Sequence, residues 1–165
     1  MMERRRNAAL YFLNTERDDR TGKKTLERAR ADQMRLMEGG LFTLVAICSY
    51  GTIDPDVTAS NVRYVGEQLT KQSKRRDLSR ERKRIAKIAG ECLADAHVRD
   101  GLLIVPIAPD PKWRPVTVMF AMKMMVSTAF ELAKMRGTRL PEPTDLIRNA
   151  EVSYKPDLRR LQTGS

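Results

Sequence analysis

The chain has 165 residues and carries 31 Lys and Arg against 21 Asp and Glu, a net charge of +10. Its 41% hydrophobic content excludes a wholly disordered basic tail, because that much apolar surface can offset the entropy of ordering the chain. Two cysteines, Cys48 and Cys92, exclude a disulfide framework, and no apolar run approaches the ~18 residues that a membrane-spanning helix needs.

The length fits one domain over 1–165, read as a basic N-terminal arm and loop (1–24), a helical core (25–137), and a short helix with a polar tail (138–165). The first thirteen residues mimic a secretion signal only briefly. Their apolar stretch runs into Asn14, Glu16 and Asp18 with no small-residue cleavage site, so an intracellular protein is expected: cytoplasmic, nucleoid- or nucleus-associated, or inside a particle. It is not expected to be secreted.

In chain order, residues 8–13 form a short apolar element that suits either helix or strand. Asn14 to Lys24 reads as a loop. Thr25 can cap a helix through Met37, stopped by Gly39-Gly40. Leu41 to Tyr50 is a buried apolar run, again either strand or helix, followed by a turn from Gly51 to Pro55. Thr58 or Ser60 can cap a helix with Val62, Val65 and Leu69 on one face. From Asp77 or Ser79 a helix opens or continues to about His97, and Gly101 breaks it. Leu102 to Ile107 looks like a buried strand, and Pro109, Pro111 and Pro115 enclose a turn with Trp113. Val116 to Met135 is apolar nearly all round and predicts a central helix closed by Gly137. Its five methionines, Met119, Met122, Met124, Met125 and Met135, suit a core or a subunit interface. Thr144 to Ala150 is a last short helix before a polar tail. The expected class is mainly α, with one short hairpin or small sheet around 102–107.

Charge is not spread evenly. Residues 61–90 hold ten basic and three acidic side chains, whereas residues 31–60 hold one and four. The densest run is Lys71 to Lys87, with nine cations against Asp77 and Glu81. Laid on one helix, its cations Arg76, Arg80, Lys83 and Lys87 share a pole opposite Leu78, Ile85, Ala89 and Cys92, with Arg82 and Arg84 on the flanks. That stripe would be about 16 Å long at ~1.5 Å per residue. Lys71, Lys74 and Arg75 extend the cluster. An ordinary solvated face interleaves acids at i, i+4, and this one does not. Phosphate neutralisation with counterion release is the chemistry such a cluster serves, and arginine's planar fork suits it. The run contains no aromatic side chain for stacking a base, and no zinc finger or specific helix-turn-helix pattern. Arg4-Arg5-Arg6 and Arg159-Arg160 are candidates for added phosphate contacts.

No catalytic constellation emerges. His97 is the only histidine; on a helix it lies on the flank opposite Glu91 and Asp95, and Asp100 falls beyond the helix end. Thr21 to Thr25 fails the phosphate-loop pattern, because Arg17 replaces its first Gly and Lys24 the Ser or Thr after Gly-Lys. Neither a metal site nor a cofactor is expected. The sequence therefore points to a non-enzymatic nucleic-acid-binding structural protein acting as a homo-oligomer, nucleocapsid-like or architectural, with RNA placed ahead of DNA. Two alternatives remain: a matrix-type adaptor on anionic membrane surfaces, and an accessory transcription or replication regulator.

Overall fold

A computed structural model describes residues 2–17, 33–107 and 115–158. The expected cap at Thr25, the turn around Trp113 and the Arg159-Arg160 pair lie outside them. The apolar residues near the start fold as helix α1 (Met2–Arg17), which buries Ala8, Ala9, Phe12 and Leu13 on one side. The helix runs on through Arg17, so Asn14 to Arg17 are helical and not the start of a loop; the rest of the expected loop lies outside the described residues.

Gly39-Gly40 does not end a helix. It lies inside α2 (Gln33–Cys48), which runs on through the ambiguous 41–50 segment. The glycines are there for packing. A side chain at Gly39 would collide with the Ala8 carbonyl of α1, and one at Gly40 would come within 2.8 Å of the Met122 side chain. Each glycine costs about 1 kcal/mol of helix propensity. Against that, Leu36, Phe42, Leu44 and Val45 are fully buried, each worth about 1.5–3 kcal/mol. Packing outweighs propensity, and the helix continues.

Helix α3 (Pro55–Gln72) starts at Asp54, whose Oδ1 accepts the Asp56 N–H at 2.9 Å, with Pro55 at the first helical position. The caps expected at Thr58 and Ser60 are superseded, and Thr58 is buried. Val62, Val65 and Leu69 form the buried face, as their spacing predicts. Helix α4 (Arg80–Ala94) is capped by Ser79 and ends three residues short of His97. It folds back antiparallel on α3: Gly66 faces Gly90 and Ala94, while Thr70 faces Gly90. A Cβ at Gly66 would sit 2.8 Å from the Gly90 carbonyl, and one at Gly90 2.8 Å from the Gly66 carbonyl.

Strands β1 (His97–Arg99) and β2 (Leu102–Ile107) make a hairpin. Its two-residue turn is Asp100-Gly101, with φ of 53° and 75°; both left-handed values match the twist of the strands. Gly101 is thus a hairpin residue rather than a helix breaker. Helix α5 (Pro115–Met135) closes at Gly137, φ 73°, and helix α6 (Pro143–Asn149) follows. The tail expected to be polar instead forms β3 (Tyr154–Leu158), parallel to β2 with Leu103 opposite Tyr154, giving the order β1-β2-β3. Buried Val152 and Tyr154 anchor it. Arg5 stacks 4.3 Å over the Tyr154 ring and donates to its carbonyl at 2.9 Å, and Arg6 donates to the Ala150 carbonyl at 2.9 Å. Burial pushes the Tyr154 phenol up to about 12, so it stays neutral.

The protein is mainly α with a small three-stranded sheet. Among the described residues no helix is long and apolar enough to cross a membrane. The α3–α4 contact positions the basic segment, and it depends on two missing side chains. Gly66→Ala and Gly90→Ala should each destabilise the fold by about 1–3 kcal/mol. Exposed Ser60→Ala on the same α3 should stay within about 0.5 kcal/mol. Urea unfolding followed by circular dichroism measures both.

Candidate nucleic-acid interface

The cationic run does not form one helix. Lys71 is in the last turn of α3, whose end is tied by the Ser73 N–H donating to the Leu69 carbonyl at 3.0 Å. Lys74, Arg75 and Arg76 occupy a turn in which the Lys74 N–H donates to the Lys71 carbonyl and the Arg75 N–H to that of Gln72. Arg80, Arg82, Lys83, Arg84 and Lys87 belong to α4, which restarts when the Ser79 Oγ accepts the Arg82 N–H at 3.3 Å. The cap and the Gly66–Gly90 contact together turn the chain back on itself. The cations therefore run from the α3–α4 turn onto the first half of α4, with Lys87 halfway along that helix.

The stripe changes accordingly. On α4, Arg80, Arg84 and Lys87 share the outward side, about 10 Å from first to last at ~1.5 Å per residue, and Lys83 is half-buried beside them. Arg76 is off the helix. Arg82, expected on a flank, is exposed in the first turn and lines a groove.

Two acids temper the cluster. The Arg75 guanidinium grips Asp77 through two hydrogen bonds, Nε to Oδ1 at 3.0 Å and a terminal nitrogen to Oδ2 at 2.7 Å. That hydrogen bonding holds the Asp77 carboxyl below the usual carboxylate range. The depressed value fixes the sign: the pair is complete above the ordinary aspartate pKa and is lost as pH falls through the folded one. Glu81 is the single acid in the first turn of α4. Helix N-termini favour acids by about 0.3–1 kcal/mol each, yet Arg80, Arg82 and Lys83 sit there. A bound anion would reverse that penalty.

Helices α3 and α5 are antiparallel: Gln72 donates to Thr128 Oγ1 at 3.3 Å, and Arg136 donates to Asn61 Oδ1 at 2.8 Å. Residues of α5 before Thr128 therefore face the basic turn. Between them runs a groove of about 630 Å³. Leu78, Ile85, Phe120 and Met124 supply apolar wall, and Arg75, Arg82 and Lys123 its polar lip. Phe120 is 45% exposed. The expectation that α5 is apolar all round is thus corrected: Phe120, Ser127 and Glu131 form an open stripe. Met119, Met122 and Met125 are buried, Met124 half-buried, and Met135 exposed. The run 71–87 contains no aromatic, and the fold supplies one, Phe120, from more than thirty residues further along the sequence. The spacing of Phe120, Ser127 and Glu131 along the helix is the signal that could have found it.

The other candidate groups lie apart. Glu91 and Asp95 are exposed, Asp100 is at the hairpin tip, and His97 begins β1 with its Nδ1 2.9 Å from the Asp95 carbonyl. Among the described residues no group of three or more His, Cys, Asp or Glu side chains is placed to hold a metal ion. Burial pushes the Cys48 thiol up to about 12, so it is no nucleophile, and Cys92 is buried too. Arg5 is tied to β3 through the Tyr154 carbonyl and Arg6 to the end of α6 through that of Ala150, and Arg4 lies 3.7 Å from Glu38.

No protein-family model, curated protein or solved structure matches the chain.

The Arg75–Asp77 fork makes Asp77 a brake on the cluster. Asp77→Asn should leave the melting temperature nearly unchanged and raise the salt concentration that elutes the protein from heparin. Arg75→Gln should lower it.

Proposed function

We propose that the chain is a non-enzymatic, basic nucleic-acid-binding structural protein that works in several copies inside the cell or a particle. It holds phosphates at the end of the α3–α4 hairpin. The observation that carries this reading is the run of nine cations over the end of α3, the turn and the first half of α4, three of them in a first helical turn that disfavours them. A nucleic-acid strand offers the compensating charge at regular intervals. Each phosphate neutralised there also releases condensed counterions, the main source of sequence-independent affinity.

Affinity arises from Arg80, Arg84 and Lys87 along the outer face of α4, with Lys71, Lys74 and Arg76 beside them. The contacts read phosphate and not base edges, so sequence preference is small. RNA stands ahead of DNA. Tyr50, Val57 and fully exposed Ile53, around the α2–α3 connection, supply apolar surface for contact between copies. The same surface charge keeps copies apart until a polyanion bridges them.

Fluorescence anisotropy with a random-sequence oligonucleotide, titrated over salt, tests the reading. Changing Arg76, Arg80, Lys83 and Lys87 together to Gln should flatten the slope of log K against log[salt] by about three to four units. Light scattering on the same samples should show assemblies larger than one chain, with the oligonucleotide recovered intact. An unchanged slope removes the cluster from the binding site; a persistent monomer removes the multimer.

A further inference from the structure

Resting on that nucleic-acid reading, we propose that the groove beneath the basic turn takes an unstacked base of a single strand, with the Phe120 ring as its stacking surface. The groove's volume, about 630 Å³, falls in the range of about 300–1,000 Å³ usual for small-molecule sites. The antiparallel run of α3 and α5 puts Phe120, Lys123 and Met124 toward the cationic turn and Glu131 toward the other end, and at the cationic end Arg75, Arg82 and Lys123 outnumber Glu81. A nucleotide has matching parts, an anionic phosphate joined to a flat apolar-faced ring with polar edges.

Each part of a nucleotide finds a partner. Arg82 reaches the groove from the first turn of α4, so a phosphate held at that turn leaves its base directed along the wall that carries Phe120. The ring is 45% exposed, and a large aromatic surface left in water is stabilised when a base covers it. Gln68, Gln72 and Ser127 also line the groove and offer both donors and acceptors to a base edge. Such groups tolerate any base, in keeping with weak sequence preference. A duplex keeps its bases paired and stacked, so it meets the outer cations but not the groove. Single-strand preference follows from the geometry.

The test compares a single-stranded oligonucleotide with a duplex of equal length, at one fixed salt concentration and across a salt series. The parent protein should bind the single strand more tightly. Phe120→Ala should weaken single-strand binding about 5- to 150-fold, the effect of losing one stacked base. Duplex binding and the single-strand salt slope should stay as they are, and Phe120→Trp should restore the preference. Thermal melts confirm that each variant folds. Equal affinity for the two forms, or an equal loss on both in Phe120→Ala, overturns the base site and leaves the phosphate cluster standing. Binding of neither form with a salt-dependent slope overturns the cluster as well.

Discussion

Close approach of helix backbones, allowed only where a Cβ is missing, is the constraint on which this structure depends. Gly39 lets α2 lie against the Ala8 carbonyl of α1, Gly40 admits Met122 of α5, and Gly66 and Gly90 bring α3 and α4 into contact. These four residues set the separations of five helices. Without the last pair the α3–α4 hairpin would splay, and the cations of α4 would no longer lie beside those of α3 and the turn. The placement of the cationic cluster is therefore coupled to residues that carry no charge.

The basic end is electrostatically frustrated in isolation. Like charges crowd a helix N-terminus, and the Arg75–Asp77 fork, Glu81 and the Ser79 cap are among the local reliefs. What holds α4 in place is its opposite side, where Ile85, Ala86, Ala89 and Leu93 are buried. The packed face and the cationic face thus lie on different sides of one helix. The exposed cations are then open to substitution at little cost to the fold. By contrast, Arg5 and Arg6 act as structural ties, stacked on Tyr154 and bonded to backbone carbonyls. Position, not residue type, decides which arginines can meet a phosphate.

Much of this was legible in the sequence where a signal was local. The strand at 102–107, the helices at 116–135 and 144–150, the Ser79 start and the Gly137 stop follow from apolar spacing and turn chemistry. Signals that depend on distant partners were not legible. Gly39-Gly40 reads as a stop until α1 and α5 are seen packed against it. The segment 154–158 reads as a polar tail because its burial comes from β2, fifty residues earlier in sequence. The same holds for the site: the nine cations and a possible helix start at Asp77 or Ser79 were visible, while the fold-back of α4 on α3 and the approach of Phe120 were not. A continuous helix was the simplest drawing of that run, and tertiary packing folded it in two.

The central claim, that nucleic acid is held at the end of the α3–α4 hairpin, can be tested most directly by lysine acylation footprinting. The full chain is labelled with and without a random-sequence oligonucleotide and read by peptide mass spectrometry. Lys71, Lys74, Lys83 and Lys87 should be protected in the complex, while exposed Lys134 and Lys155 react as before. Protection centred on Lys134 or Lys155, with the four hairpin lysines unchanged, would contradict it.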